Sequence, residues 1–201
     1  MKILGLTGQS GAGKGAVAAL FAEHGIPSVD TDAVYHELLI PPSACLDELT
    51  AEFSGAILNP DGTLNRPALA ALVFEPSEEG HRRHQRLNEI THRYVIERTF
   101  ALLSEYEKQG CKAAVIDAPL LIEAGLHTRC DCVIAVLADR EIRMDRLMQR
   151  DNLSREQIGQ RLDAQPNVSF YIEHASVLIY NEGTEQELRS AVASLLPEVL
   201  A

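Results

Sequence analysis

A glycine-rich loop with a single lysine lies near the start of the chain. Residues 8–14 follow the apolar run Ile3–Thr7 and lead into a second apolar run, Val17–Phe21. The spacing G-x-x-x-x-G-K between a strand and a helix is typical of a loop whose backbone N–H groups surround phosphates. A plain strand-to-helix turn is the alternative, but it does not explain a lysine at this offset. We predict that Lys14 bridges the β- and γ-phosphates of ATP. The predicted nucleotide contacts in this loop are Gly8, Gly11, Ala12, Gly13, Lys14, Gly15 and Ala16.

The two residues after the lysine depart from the usual pattern. The motif normally continues with Ser or Thr, whose hydroxyl binds the Mg²⁺ that accompanies ATP, whereas this chain has Gly15 and Ala16. Mg²⁺ often keeps several waters in its octahedral shell. We therefore expect ATP and Mg²⁺ to bind, with a water in place of the hydroxyl and a weaker hold on the metal.

Carboxylates follow the strand predicted at Pro27–Asp30. In a doubly wound sheet, ligands gather at the carboxyl ends of the strands, so Asp30 and Asp32 are expected to face the transferred group. We predict that Asp32 orients an acceptor hydroxyl and accepts its proton, and that Asp30 holds a Mg²⁺-bound water. The assignment within this pair is open. Either residue can instead cap a helix that begins near Ala33.

A second acidic position ends the strand Ala113–Asp117. Asp117 is predicted to approach the metal through water, as the second acidic residue of phosphate-loop enzymes does. In the apolar turn that follows, Leu120 and Glu123 are candidates for lining the acceptor site. Core packing is the alternative for the leucine.

Arginines recur on one stretch after the fourth strand. Arg143, Arg146 and Arg150 have the spacing i, i+3, i+7, which places them on one face of a helix. We predict a lid in which Arg143 and Arg146 stabilise the charge of a phosphoryl transition state. Acidic neighbours leave a solvated, salt-bridged helix as the alternative. Farther on, Asn181 lies in a loop expected beside the adenine, for which an ordinary turn capped by Thr184 accounts equally well.

The elements that must position these residues alternate between strand and helix. Nearly continuous apolar runs, typical of parallel strands covered on both faces, predict five strands, and the stretches between them have helical periodicity. The pattern predicts a three-layer α/β/α fold of the P-loop NTPase type with a parallel sheet. The predicted strands are Ile3–Thr7, Pro27–Asp30, Ala113–Asp117, Cys132–Leu137 and Val177–Tyr180.

One domain, residues 1–201, accommodates this pattern. Within it we predict a nucleotide-binding core (1–32, 111–138 and 176–201), a helical acceptor subdomain (33–110) and a lid (139–175). A single long helix is expected from Ser77 to Gly110, where the glycine ends it.

Bulk properties limit the partners. A net charge of −11 opposes binding to nucleic acid or to an anionic membrane, and the first apolar run is too short for a signal peptide or a membrane span. We expect a cytoplasmic protein that acts on small molecules. Reduced packing thiols are expected at the four cysteines. A monomer is expected, with a small homo-oligomer as the alternative.

Several stretches, taken in order, resemble the dephospho-coenzyme A kinase family. They span most of the chain, and departures from the family pattern occur at Gln9, Ser10, Gly15, Ala16 and Arg93. The resemblance implies ATP-dependent phosphorylation of the ribose 3′-hydroxyl of dephospho-coenzyme A, with Asp32 as the base and Arg66 and His92 in stretches that border the acceptor. The stretches that carry it are 5–8, 29–32, 61–66 with Leu69, 116–123, Arg146 with Arg150, Gln165, and 179–181.

The residues are also compatible with two other functions. Another small-molecule kinase, such as a nucleoside monophosphate kinase, would have the same core and a different acceptor pocket. A nucleotide-binding module without catalysis is the second, motivated by the absent hydroxyl at position 15.

Overall fold

A computed structural model of the protein describes residues 1–200. The predicted parallel five-stranded sheet is confirmed. The strands are β1 (Lys2–Gly8), β2 (Ser28–Asp30), β3 (Ala113–Asp117), β4 (Cys132–Leu137) and β5 (Val177–Tyr180). Their order in the sheet is β2-β3-β1-β4-β5. Three strands have the predicted bounds, β1 is one residue longer at each end, and β2 begins one residue later.

Strand β1 lies between β3 and β4 and carries the loop that follows it. Leu6 and Thr7 of β1 point to opposite faces of the sheet and are both fully buried, as expected for a strand whose two faces are both covered. Leu6 pairs with Asp117 of β3, and Gly8 pairs with Val136 of β4. The register therefore brings the end of β1 next to the ends of its two neighbours.

The chain divides into two compact units, of which the first contains the sheet. It comprises Met1–Val29 and the described part of Leu103–Ala201. Its main core joins β1, β3 and β4 to two helices, α1 (Lys14–Glu23) and α9 (Glu185–Leu200). Phe21 of α1 and Val192 of α9 are fully buried in this core. The core fixes the axis of α1, and with it the position of the loop that precedes the helix.

Three further helices of the first unit connect β4 to β5. They are α6 (Arg140–Asp151), α7 (Arg155–Asp163) and α8 (Val168–His174). Helices α6 and α7 share a small core of Met144, Leu147, Ile158 and Leu162. Asp139 caps α6, and Ser154 begins α7 with a complete capping box. The helical character predicted for this segment is thus observed, while its movement as a lid remains a prediction.

The second unit, Asp30–Leu102, is helical. Its core gathers Leu49, Phe53, Ile57, Leu69 and Ile90 from successive elements. The predicted long helix from Ser77 to Gly110 is α5, which begins in this unit. The elements are α2 (Thr31–Glu37), α3 (Ala44–Phe53), a short 3-10 turn (Gly55–Ile57), α4 (Arg66–Val73) and α5 (Glu78–Lys108).

Candidate functional site

The predicted phosphate loop joins β1 to α1 and requires glycine at two of its positions. Gly8 has φ 150°, and a Cβ atom there would lie 2.3 Å from the carbonyl oxygen of Val136. Gly13 has φ 100°, and its Cβ would lie 2.2 Å from Nδ2 of Asn181. At Gly8 the clash is with backbone, at Gly13 a side chain would have to displace the amide of Asn181, and both φ values favour glycine. The glycines therefore allow the loop to lie directly against β4 and the residue that follows β5.

Helix α1 begins at this loop with features that favour an anion. Gly13 is its N-cap, no side chain caps it, and its first turn carries no acidic residue. The first N–H groups of any helix lack partners inside the helix, and the helix dipole makes this end positive. An anionic group at the loop would thus meet backbone donors, a positive helix end and Lys14.

Two side chains hold the loop by its carbonyl groups. Asn181 is buried, and its Nδ2 donates to the carbonyl of Ala12 over 2.8 Å. Arg146 Nη1 lies 3.4 Å from the carbonyl of Gly11, 3.3 Å from that of Ala12 and 3.0 Å from that of Asn181. Because these donors bind the carbonyl groups, they fix the peptide orientation of the loop. Arg146 and Asn181, both predicted to contact nucleotide, thus lie at the loop and bind its backbone.

Lys14 and Asp117 are brought together. The ammonium group of Lys14 forms a short salt bridge with Oδ1 of Asp117, and both side chains are largely buried. Asp117 is the last residue of β3, and Lys14 is the first residue of α1. The sheet register therefore joins a predicted phosphate ligand to a predicted metal residue.

Position 15 has room for a side chain. A Cβ atom on Gly15 would find nothing within 4 Å, and its φ lies outside the left-handed region. No packing or backbone requirement in the structure explains glycine here. Among residues 1–200, no group of three or more His, Cys, Asp or Glu side chains could hold a metal ion by itself. A Mg²⁺ carried by ATP phosphates and waters needs only one or two carboxylates, and Asp117 fits that requirement.

Arg143 is buried, and no carboxylate of the described residues forms a salt bridge with it. It is 6% exposed, its Nε has no hydrogen-bond partner, and none of the ion pairs formed by the described residues includes it. Burial, aided by the charge of Arg140, holds the pKa of Arg143 below its ordinary value. A buried cation is stabilised by an anion. Its backbone contacts the loop, since a Cβ on Gly11 would lie 2.8 Å from the carbonyl oxygen of Arg143.

Arg143, Arg146 and Arg150 of α6 have different surroundings, although their spacing predicted one face. Arg143 is buried and Arg146 is half-buried, and both reach the phosphate loop. Arg150 is exposed and binds both carboxylate oxygens of Asp151, over 2.6 and 2.9 Å. The salt-bridged interpretation is thus confirmed for Arg150.

Two residues of the loop region were not among the predicted site residues. Gln165 forms two hydrogen bonds with Ser10, although 155 positions separate them. No local pattern in the sequence predicts this pair. Only the family resemblance drew attention to Gln165.

In the second unit, Asp30 serves as a helix cap. Its Oδ1 accepts from the backbone N–H groups of Asp32 and Ala33, over 2.9 and 3.2 Å. The capping alternative is therefore confirmed for Asp30, whose Oδ2 stays available for a water. Asp32 has an exposed side chain in the first turn of α2.

The other candidate acceptor residues are exposed. In the second unit, Arg66 Nη2 lies 3.1 Å from His36 Nδ1, and His92 has an exposed side chain on α5. In the first unit, Leu120 is 58% exposed, and Glu123 is exposed nearby in sequence. Leu120 is thus a surface residue, which the packing alternative does not predict.

Comparison with known proteins adds an independent finding. A family model described as dephospho-CoA kinase matches residues 2–187. A Corynebacterium efficiens protein named dephospho-CoA kinase is 38% identical over 98% of this chain and 96% of its own. A Thermus thermophilus protein of known crystal structure has 31% sequence identity with this chain. The two structures superpose with a TM-score of 0.80 over 98% of this chain and 97% of that one. The structure of dephospho-CoA kinase from Campylobacter jejuni has the same fold, with 22% identity and a TM-score of 0.63 over 98% of this chain and 97% of that one.

Proposed function

Because the chain belongs to the dephospho-CoA kinase family, we propose that it transfers the γ-phosphoryl group of ATP to the ribose 3′-hydroxyl of dephospho-coenzyme A. The products are coenzyme A and ADP. The observation that carries the proposal is the phosphate loop with Lys14 on it and, packed against it, the buried Arg143, which forms no salt bridge with a carboxylate of the described residues. That arrangement is suited to a polyphosphate and offers it two cations.

The protein takes little direct part in the making and breaking of bonds in this reaction. The acceptor oxygen forms a bond to the γ-phosphorus, the bond from that phosphorus to the β–γ bridging oxygen breaks, and the acceptor proton goes to a base. We assign the base to Asp32, whose exposed carboxylate is open to substrate. Lys14 and Arg143 neutralise charge that spreads over the transferred phosphoryl oxygens. Arg146 acts on this step by holding the loop through its carbonyl groups.

The role of Lys14 includes a change of partner. Its ammonium group now binds Asp117, and a polyphosphate on the loop would compete for the same three N–H donors. We propose that Asp117 then contacts a metal-bound water. Mg²⁺, when bound with ATP, neutralises phosphate charge, and Asp117, with Asp30 through its free oxygen, would hold it through water.

The remaining assignments follow the same proposal. Arg66, His92, Leu120 and Glu123 contact the acceptor, residues 33–110 form its subdomain, and residues 139–175 act as a lid. We further propose a cytoplasmic enzyme that works as a monomer on small molecules. Within residues 1–200, no helix is long and apolar enough to cross a membrane.

An acceptor comparison tests the function. The purified protein is incubated with ATP and Mg²⁺ and with dephospho-coenzyme A, AMP, CMP or no acceptor, and ADP release is coupled to a detectable reaction. We expect rapid turnover only with dephospho-coenzyme A. Turnover with a nucleoside monophosphate alone would identify a different kinase, and ATP binding without turnover would identify a binding module.

A further inference from the structure

The side-chain carboxamide of Gln165 forms hydrogen bonds with the phosphate loop through both its oxygen and its nitrogen. The backbone N–H of Ser10 donates to Oε1 of Gln165 over 3.2 Å, and Nε2 of Gln165 donates to Oγ of Ser10 over 2.7 Å. Gln165 lies just after α7, whose last residue is Asp163, and Ser10 lies in the middle of the loop. The segment between β4 and β5 is therefore joined to the loop by two reciprocal bonds.

Oε1 of Gln165 also accepts a hydrogen bond from the buried Arg143. Arg143 Nη1 lies 3.5 Å from Oε1 of Gln165, a long hydrogen bond, while the backbone of Arg143 packs against Gly11. One neutral side chain thus binds a backbone donor of the loop and the guanidinium beside it. Its position sets the distance between the loop and the buried cation.

We infer that Gln165 is a positioning residue that holds the phosphate loop and Arg143 in the arrangement needed for phosphoryl transfer. This inference rests on the proposed function. A carboxamide suits the task because it offers a donor and an acceptor in one plane. Its neutrality matters as well, because a carboxylate here would pair with Arg143 and repel the phosphates of ATP. A misplacement of about 1 Å at a reacting centre costs on the order of a hundredfold in rate.

Five variants test the inference. Gln165→Ala removes both ends of the bridge, and Ser10→Ala removes one. Gln165→Glu keeps the size and both acceptor contacts, and the hydroxyl of Ser10 can rotate to donate to the new carboxylate. The double variant Ser10→Ala/Gln165→Ala completes a double-mutant cycle with the two single alanine variants. Gln160→Ala is the matched control, because Gln160 is an exposed glutamine on α7 in the same segment.

The readouts are kcat, KM for ATP, thermal midpoint and, by calorimetry without acceptor, ATP affinity. We expect Gln165→Ala to lower kcat by about tenfold to a hundredfold, with a thermal midpoint close to that of Gln160→Ala. The double variant should be no slower than Gln165→Ala. Gln165→Glu should recover much of the lost kcat at saturating ATP, with a KM for ATP raised at least tenfold.

Two results would overturn the inference. In one, Gln165→Ala matches Gln160→Ala in kcat and in KM. In the other, the losses of Ser10→Ala and Gln165→Ala multiply, as for independent sites. Failure of the proposed function has a different signature, since the wild-type protein would then form no coenzyme A. Calorimetry would still report whether Gln165 affects ATP binding in that case.

Discussion

Replacement of Gly15 by serine tests how this chain handles the metal that accompanies ATP. The structure makes the change sterically free, since a Cβ at position 15 meets nothing within 4 Å and the backbone φ is ordinary. Gly15 is the second residue of α1. Replacing glycine in a helix gains up to about 1 kcal/mol with alanine and less with serine, and the gain shrinks near a helix end. The fold should therefore tolerate both Gly15→Ser and Gly15→Ala.

Only serine restores a hydroxyl, so the two variants separate helix propensity from metal binding. If the hydroxyl gains as much as a hydrogen bond to a charged group, about 1.5 kcal/mol, affinity for ATP rises roughly tenfold when Mg²⁺ is saturating. Without Mg²⁺, the serine variant should bind ATP no more tightly than Gly15→Ala. Gly15→Ala should show the wild-type dependence on Mg²⁺ at every concentration.

Calorimetry with a non-hydrolysable ATP analogue, repeated across a Mg²⁺ titration, measures this difference directly. Equal Mg²⁺ dependence of the serine and alanine variants would refute the reasoning that a metal ligand is missing at position 15. Tighter binding of the serine variant in the absence of Mg²⁺ would assign the gain to a direct hydrogen bond with phosphate.

The remaining predictions concern three other positions. Arg143→Met should lower kcat by about a thousandfold while leaving the urea midpoint unchanged or higher, because it removes a buried cation that has no carboxylate partner. Asn181→Ala should lower the free energy of unfolding in urea by about 1–2 kcal/mol and raise KM for ATP, because Ala12 loses a buried donor. The hydrogen bond from Tyr94 holds the pKa of Glu48 below its ordinary 4.5. A lowered folded-state pKa gives stability that is complete above the unfolded value of about 4.5 and is lost as pH falls through the lower folded value, so Glu48→Gln should lower the thermal midpoint at pH 7, and the difference should vanish as pH falls well below 4.5.

Each of these three predictions has a clear contrary result. A fully active Arg143→Met variant would remove the electrostatic role of this residue. An unchanged urea midpoint in Asn181→Ala would mean that Arg146 alone satisfies the Ala12 carbonyl. A midpoint difference for Glu48→Gln that persists at acid pH would assign the effect to packing.

The sheet could be predicted from the sequence because its strands are buried on both faces. Such strands are nearly continuous apolar runs, and Ala113–Asp117 and Cys132–Leu137 have the predicted bounds. The phosphate loop could also be predicted from the sequence, because its glycines and Lys14 have a fixed spacing and lie between a strand and a helix. The short strand β2 begins at Ser28, one residue later than predicted.

Side-chain partners were less predictable than elements. Helical spacing placed Arg143 and Arg150 on one face, but spacing does not say that the first is buried and the second binds Asp151. Asp30 had two possible roles in sequence, and the local geometry of α2 makes it a cap. The contact between Ser10 and Gln165 joins positions 155 apart, and no periodicity encodes such a pair.

The most direct test of the central claim follows the phosphate itself. ATP labelled at the γ-position is incubated with dephospho-coenzyme A, and the product of the wild-type protein is compared with that of Lys14→Met by mass spectrometry and NMR. We predict one labelled phosphate on the ribose 3′-oxygen with the wild-type protein and a loss of at least a hundredfold in product with Lys14→Met. Label at another position, or equal product from both proteins, would contradict the account.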